Sequence, residues 1–214
     1  MTLKIAIISQ KGGVSKSSVA RLLAKEYASN DWFVKIADMD TNQGTCAKWN
    51  ARRMTNGHKP DISVEQFPTV KQVKKIYTTY DLVIFDGKPY ADSQTIEIAK
   101  ESDIIIIPTG NSLDDLEPTI ELANSLRALK IDLNKVIIVL PKVGTSNNET
   151  DEVKKFIKGA GYNVINAEIP EKTAYRRAMD LGLTMTETTF PSLNQKADLF
   201  AQEIMNKIEE LKVV

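Results

Sequence analysis

Cysteine and histidine are almost missing from this chain of 214 residues, and their scarcity excludes several kinds of site. There is one cysteine, Cys46, and one histidine, His58. A single cysteine cannot form an internal disulfide framework or a multi-cysteine metal site. A lone histidine in a polar segment argues against a zinc enzyme or a Ser-His-Asp hydrolase. We expect Cys46 to be packed or half-exposed on a helix, and His58 to be solvated.

Long apolar runs and net charge are missing as well. No run approaches the ~20 apolar residues that a membrane helix requires. The first residues lead directly into an apolar segment, so the sequence predicts no signal peptide. The 28 basic and 28 acidic side chains cancel, so any contact with nucleic acid needs a local patch. We expect a cytoplasmic protein.

Apolar, β-rich segments alternate with helical patterns along almost the whole chain. This alternation is typical of the doubly wound α/β fold, a mostly parallel sheet with helices on both faces. A last helix is expected to open with a capping box of Ser192 and Gln195 and to bury one apolar face. With no repeat or linker, residues 1–214 are expected to form one domain. The predicted strands are 5–8, 33–37, 62–67, 82–85, 104–107, 136–140 and 164–165, and the predicted helices before the last are 17–29, 45–53, 93–102, 116–129 and 149–160.

The segment 9–18, Ser-Gln-Lys-Gly-Gly-Val-Ser-Lys-Ser-Ser, joins the first predicted strand to the first predicted helix. The unpaired N–H groups of a helix N-terminus favour an anion, and glycines let backbone amides curl around it. Lys16 can reach the β- and γ-phosphates of a nucleotide, and the Ser17 hydroxyl can ligate Mg²⁺. The segment is therefore predicted to be a phosphate-binding loop, in preference to a glycine turn with two surface lysines.

This loop departs from the general pattern G-x-x-x-x-G-K-[ST]. Gln10 and Ser15 stand where its two glycines belong. The residues match instead the pattern K-G-G-x-x-K-[ST], in which an additional lysine, Lys11, precedes the glycines.

Three aspartates, Asp38, Asp40 and Asp86, follow predicted strands directly. A single aspartate at such a position is usually a cap or turn residue. Because ligands of parallel sheets bind beyond the carboxyl ends of the strands, three aspartates at the same edge as a phosphate loop favour a role with Mg²⁺ and water.

Together these features resemble the ParA/MinD family of ATPases, which share a deviant phosphate loop. The match is to short ParA partition ATPases, which have no N-terminal helix-turn-helix domain. The resemblance is carried by the segments 11–17, 38–40 and 82–86, with weaker similarity at 41–49, 102–108 and 169–184. It implies the doubly wound fold and, as cofactors, ATP and Mg²⁺.

The resemblance also implies a role for each matching residue. Lys16 would bind the phosphates of its own subunit, and Lys11 would reach across a sandwich dimer to the partner's nucleotide. Asp40 would position the attacking water. The metal residues would be Ser17, which ligates Mg²⁺, with Asp38 and Asp86 holding its waters. The nucleotide-binding set would be Lys11, Gly12, Gly13, Val14, Ser15, Lys16, Ser17, Ser18, Pro170 and Glu171.

The implied function is segregation of DNA. ATP would close a homodimer that binds DNA without sequence preference, on the nucleoid in the cytoplasm. A ParB-like centromere-binding protein would stimulate a slow hydrolysis. The candidate DNA contacts are basic residues, namely Lys88, Lys142, Lys154, Lys155, Lys158, Lys172, Arg176 and Arg177.

The alternative is a positioning ATPase of the MinD type, or one with a protein cargo. Segment 207–214 is as acidic as it is basic, which predicts a packed helix and no stable membrane association. The nitrogenase iron-protein branch fits less well, because it needs paired cysteines. A GTPase is also disfavoured, because Asn134 and Lys135 are not followed by the aspartate of N-K-x-D.

Overall fold

Seven strands form one parallel sheet in the computed structural model, which describes residues 2–90 and 92–212. The strands are β1 Leu3–Ser9, β2 Val34–Asp38, β3 Ser63–Gln66, β4 Leu82–Pro89, β5 Ile104–Pro108, β6 Val136–Val143 and β7 Asn163–Pro170. The α-helices in this part of the chain are α1 Lys16–Ser29, α2 Thr45–Thr55, α3 Val70–Lys74, α4 Ser93–Glu101, α5 Leu113–Ala128, α6 Asn147–Gly159, α7 Thr173–Asp180 and α8 Pro191–Lys212.

The strand order is β3-β2-β4-β1-β5-β6-β7, which places β1 at the centre of the sheet. The chain adds strands on one side of β1 first and on its other side afterwards. Such a switch point opens a crevice at the carboxyl ends of the strands, where ligands of doubly wound proteins bind. The predicted doubly wound fold is confirmed.

Both faces of the sheet are buried, because side chains along each strand alternate between two cores. In β1, Ile5 and Ile7 face the core that contains α1 and α8, whereas Ala6 and Ile8 face the core that contains α4 and α5. The four isoleucines of β5 divide in the same way and are at most 2% exposed. Continuous apolar runs of this kind are typical of strands covered by helices on both faces.

The last helix packs against the sheet as predicted, with Phe200, Ile204 and Ile208 fully buried. The predicted capping box of Ser192 and Gln195 is wrong. The helix begins at Pro191, where the missing N–H of proline costs nothing, so Ser192 lies inside the first turn. The entry to α8 is fixed by Asn194 instead, which exchanges hydrogen bonds of 2.9 Å with the backbone of Thr188. Among the described residues, no helix is long and apolar enough to cross a membrane.

Most predicted boundaries agree with the structure within a few residues, but two differences affect the site. Helix α5 begins at Leu113, three residues early, because Asp114 and Asp115 favour a helix N-terminus. Strand β4 runs on to Pro89, so Asp86 lies within the strand and does not follow it. Glycine suits position 87 of this strand, because a Cβ there would lie only 3.0 Å from the carbonyl oxygen of Ile7 in β1.

Candidate nucleotide-binding site

The loop after β1 reaches α1 through two residues in the left-handed region, Gly13 at φ 81° and Ser15 at φ 70°. Glycine adopts this conformation freely, whereas a serine there is strained by about 1 kcal/mol. Ser15 is also the residue that stands where the general phosphate-loop pattern has its second glycine. The backbone therefore keeps the geometry of that pattern. The carbonyl of Ser15 accepts the first hydrogen bond of α1, from Val19 N at 3.0 Å.

The side chain of Lys16 folds back over the loop. Its ammonium donates to the Ser9 hydroxyl at 3.0 Å and to the carbonyl of Lys11 at 3.2 Å, and the residue is only 8% exposed. Burial lowers the pKa of Lys16, while the charges of Asp86 and Asp40 oppose that shift. The amine is thus held beside the loop amides by neutral oxygens, in the place where a phosphate group would contact it.

Asp38 and Asp86 lie side by side, because the register of β2 and β4 pairs them directly. The Asp38 carboxylate accepts hydrogen bonds from the backbone N–H groups of Cys46 at 2.9 Å and Ala47 at 3.1 Å, in the first turn of α2, and from Asp40 N at 3.2 Å. Burial raises the pKa of Asp38 to about 6, and the charge of Asp86 adds to the shift. Asp38 thus anchors the N-terminus of α2. It is not among the residues that line the cavity next to the phosphate loop.

Asp86 is buried at the base of the loop. The Cys46 thiol donates to this carboxylate, with its sulfur 3.1 Å from Oδ2, and the hydroxyl of Ser17 lies nearby. The other oxygen, Oδ1, has no hydrogen-bond partner among the described residues. Burial raises the pKa of Asp86, and the Ser17 and Cys46 hydrogen bonds and the charges of Arg21 and Lys16 offset part of that shift.

The unpartnered Oδ1 of Asp86 fits a hydrated Mg²⁺, whose water would satisfy it beside the Ser17 hydroxyl. Within residues 2–90 and 92–212, no group of three or more His, Cys, Asp or Glu side chains could hold a metal ion. Mg²⁺ in nucleotide sites does not need such a cage, because it takes most of its ligands from water and phosphates.

One cavity of about 340 Å³ brings the loop and two of the three aspartates together. The carboxylate of Asp40 is oriented by its own turn, accepting from Asn42 N at 3.2 Å and from Gln43 N at 3.1 Å. The cavity is lined by Gly12, Gly13, Ser15, Lys16, Ser17, Ser18, Arg21, Asp40, Gln43, Thr45, Asp86, Gly87 and Pro89.

Lys11 lies outside that cavity, on the other side of the loop. Its ammonium is 2.6 Å from the carboxylate of Asp115 and donates to the carbonyl of Asp114 at 3.2 Å. The hydrogen bond with Asp115 raises the pKa of Lys11. This side chain lines a neighbouring cavity of about 460 Å³, together with Gly110 and Lys142.

Pro170 and Glu171 also lie beside the loop. They line a cavity of about 190 Å³ with Gly13 and Ser15. The carboxylate of Glu171 is 3.5 Å from the ammonium of Lys142 and 3.7 Å from the guanidinium of Arg176. Strand β7 thus ends within reach of the loop, although these two residues lie far from it in sequence.

Sequence reasoning missed the roles of two buried residues near Asp86. Arg21 is 5% exposed, donates to the carbonyl of Thr45 at 2.7 Å, and lies over the ring of Trp49 at 5.5 Å. Its spacing of four from Ser17, which puts both on one helix face, was the available signal. The burial of Cys46 agrees with the expected packing, but its contact with Asp86 depends on how α2 meets β4.

Of the eight predicted DNA contacts, one is buried, one is half-buried and six are exposed. Lys154 is 9% exposed and pairs with Glu168 and with the carbonyl of Asn166, so it is not available at the surface. The side chain of Lys88 is half-buried. The exposed candidates are Lys142, Lys155, Lys158, Lys172, Arg176 and Arg177.

Comparison with known proteins agrees with this geometry. The family described as the CobQ/CobB/MinD/ParA nucleotide binding domain matches residues 5–185. The sequence is 23% identical over 219 residues to Protein ParA of Rhizobium radiobacter, which covers 96% of this chain and 97% of that protein.

Solved structures with the same fold come from more than one branch of this family. A putative plasmid partition protein from Borrelia burgdorferi B31 bound to AMPPNP superposes with a TM-score of 0.70 at 16% identity, covering 100% of this chain and 99% of that one. The MinD cell division protein of Aquifex aeolicus gives a TM-score of 0.71 at 16% identity, covering 96% and 97%. At such identities the likeness establishes the fold and does not separate partition from cell-division positioning.

Proposed function

Because the chain belongs to the CobQ/CobB/MinD/ParA family of nucleotide-binding domains, we propose that it is a DNA-partition ATPase. In this proposal residues 1–214 form one domain, and two copies close around two Mg·ATP. The observation that carries it is that the two lysines of the loop lie in different cavities. Lys16 lines the cavity with Asp40 and Asp86, whereas Lys11 lies outside that cavity.

Nucleotide binding uses the loop and α1. The amides of Gly12 to Ser18 surround the β- and γ-phosphates, at the positive end of the helix dipole. Lys16 exchanges its hydrogen bonds with Ser9 and with the loop carbonyl for phosphate oxygens. Pro170 and Glu171 complete the nucleotide-binding set at the edge of the loop. Their contact with the cavity beside Gly13 and Ser15 supports this assignment.

The Ser17 hydroxyl would ligate Mg²⁺, and Asp86 would accept a hydrogen bond from one of its waters. When bound, Mg²⁺ neutralises charge on the phosphates. Asp38 acts behind Asp86 by fixing the N-terminus of α2, and its Oδ1, which accepts only from Asp40 N, would keep a lone pair for a water of Mg²⁺.

Hydrolysis requires a water in line with the γ-phosphate, and Asp40 positions it. A carboxylate orients water well but is repelled by phosphate, so slow turnover is expected, as in a molecular switch. Lys11 of a second copy stabilises the charge that develops on the phosphoryl group. Lys11 must first break its ion pair with Asp115. The negative charge of ATP compensates for the lost pair, so dimer closure depends on bound ATP.

DNA binding is assigned to the closed dimer. Lys172, Arg176 and Arg177 are exposed around α7, which lies beside the loop, so closure can bring two such sets together. In this proposal a ParB-like centromere-binding protein stimulates hydrolysis and releases the dimer from the DNA of the nucleoid. Phosphate contacts of this kind carry no sequence information, which suits a non-specific track.

The experiment is binding to a DNA duplex of random sequence with ATP, with ADP and without nucleotide. The proposal expects binding only with ATP, and a steep loss of affinity as the salt concentration rises. The triple change Lys172→Ala, Arg176→Ala and Arg177→Ala should weaken DNA binding when it is measured at saturating ATP. The change Lys130→Ala, at an exposed lysine after α5, is the control. DNA binding that ignores the nucleotide contradicts the switch.

The alternative, a MinD-like or protein-cargo ATPase, has the same nucleotide chemistry. The fold does not separate it from partition, because the MinD and partition structures superpose equally well. The apolar face of α8 is already buried against the sheet, which supports the absence of stable membrane binding. Co-sedimentation with anionic vesicles in the presence of ATP tests this directly, and strong retention on the vesicles favours the MinD-like function.

A further inference from the structure

Arg21 is a buried cation in the wall of the phosphate cavity. It is 5% exposed and lies one turn after Ser17, on the same face of α1. Its guanidinium forms no ion pair with any residue in the ranges 2–90 and 92–212. A buried charge is costly unless an opposite charge or several hydrogen bonds accompany it. An arginine in this situation is suited to take its counter-ion from a bound anion.

The contacts of Arg21 hold the side chain in place but use only part of its donors. One terminal nitrogen donates to the carbonyl of Thr45, and the guanidinium lies over the ring of Trp49. The buried Nε has no hydrogen-bond partner among the described residues. A guanidinium presents its N–H groups in a planar fork that matches the oxygens of a phosphate. Arg21 is thus supported by α2 while at least one donor remains for a ligand.

Arg21 lies at the end of the cavity that carries Asp40. Thr45, to which it donates, directly follows the turn of residues 40–44, and Asp40 and Thr45 both line the cavity. Asp86 lines it as well, close enough for the charge of Arg21 to act on its carboxylate. These two carboxylates repel the γ-phosphate of a nucleotide, and a cation beside them offsets that repulsion.

We propose that Arg21 binds the γ-phosphate of ATP in its own subunit and so makes the site select ATP over ADP. The inference rests on the proposed function, because it needs a triphosphate in this cavity. Arg21 turns towards the phosphate at the loss of one hydrogen bond, that to Thr45. Lys16 and the loop amides meet the β-phosphate of either nucleotide, whereas Arg21 gains a partner only from ATP.

The test compares ATP and ADP binding to Arg21→Met by titration calorimetry with Mg²⁺, at a protein concentration where light scattering shows a monomer. Methionine keeps part of the apolar stem and removes the N–H groups. The affinity for ATP should fall about tenfold or more, because charged hydrogen bonds are lost, and the affinity for ADP should change little.

Arg127→Met, on α5, is the matched control. Arg127 also donates to one carbonyl, that of Ala160 at 3.2 Å, and also lies over an aromatic ring, that of Tyr162 at 5.0 Å. It does not line the phosphate cavity, so both affinities should stay as in the wild type. Arg21→Lys keeps the charge without the fork and should recover part of the lost ATP affinity.

A measurement on the wild type covers the case in which Arg21→Met does not fold. With isotope-labelled arginine, the Nε–H signal that is absent from the NMR spectrum of Arg21→Lys belongs to Arg21. This signal should shift when Mg·AMPPNP is added and should stay in place with Mg·ADP.

Equal losses of ATP and ADP affinity in Arg21→Met would mean that Arg21 only supports α2, and they overturn the proposal. Unchanged ATP affinity overturns it too, as does an Nε–H signal that responds alike to both nucleotides. A wild-type chain that binds neither nucleotide refutes the proposed function and this inference with it. A wild type that binds both, with the same preference kept in Arg21→Met, refutes this inference alone.

Discussion

The ammonium of Lys11 lies 2.6 Å from the carboxylate of Asp115, in an ion pair that joins the phosphate loop to the first turn of α5. The second oxygen of Asp115 packs against Gly110, since a Cβ at that glycine would lie only 2.3 Å from it. Asp115 is thereby held in place, and it competes with any phosphate for the lysine. In the proposed dimer, Lys11 would have to leave this pair to reach the nucleotide of the second subunit, so the pair would favour the separate subunit.

Removing this competitor should ease dimer closure. In Asp115→Asn, half-maximal dimerisation is expected at an ATP concentration a few-fold lower than in the wild type, because an exposed pair contributes little. Light scattering against ATP concentration measures the shift. Asp61→Asn, which removes another surface ion pair, is the control. A higher ATP requirement in Asp115→Asn would show that Asp115 supports closure.

Loss of the Lys16 ammonium should abolish nucleotide binding. Lys16→Ala removes the charge that meets the β- and γ-phosphates, and titration calorimetry with Mg·ATP should detect no binding. Lys48→Ala, at an exposed position of α2, should bind like the wild type. Retained ATP affinity in Lys16→Ala would refute the assignment of segment 9–18 as the phosphate loop.

Asp40 is expected to matter for turnover and not for binding. Asp40→Ala leaves the loop intact but removes the carboxylate that positions water, so ATP should trap a dimer with little phosphate release. Size-exclusion chromatography with light scattering reports the dimer, and a phosphate assay reports turnover. Normal turnover in this variant would remove Asp40 from the mechanism.

Stability should depend on a buried ion pair remote from the nucleotide. Arg53 is 1% exposed, and its guanidinium lies 2.9 Å from Glu187. Burial alone would raise the pKa of Glu187, but the hydrogen bond and charge of Arg53, together with hydrogen bonds from Thr184, outweigh burial and hold that pKa below the ordinary 4.5. The stabilisation is thus fully present above pH 4.5 and is lost as the pH falls through the folded-state pKa.

Glu187→Gln should therefore lower the free energy of unfolding by about 3 kcal/mol at neutral pH, because Arg53 keeps its charge without a counter-ion. Urea unfolding at several pH values measures this loss, which should shrink in acid. Glu210→Gln, at an exposed pair, should change little. An equal loss at all pH values would mean that the charge of Glu187 does not stabilise the fold.

The sheet and the loop were predictable because their signals are local. Four isoleucines in succession predict a strand buried on both faces, and a glycine-lysine loop between a strand and a helix predicts a phosphate site. The positive φ of Ser15 could be expected for a similar reason, because the general phosphate-loop pattern has a glycine at this position. These features need no knowledge of distant residues.

Features that depend on packing between distant segments were not predictable. The pairing of Lys154 with Glu168 depends on α6 lying over β7, and the bond between Cys46 and Asp86 depends on α2 meeting β4. The short helix α7 has only Tyr175 and Ala178 buried, too few residues to give a clear periodic pattern.

The exchange of Lys11 between subunits is tested most directly by mixing two inactive variants, Lys11→Ala and Asp40→Ala. In a mixed dimer, the Lys11→Ala subunit keeps its own Asp40 and receives Lys11 from its partner, so one complete site forms. Phosphate release from the equimolar mixture should then exceed that of either variant alone. A mixture as inactive as its components would contradict the exchange, because a lysine that serves its own subunit cannot be supplied by a neighbour.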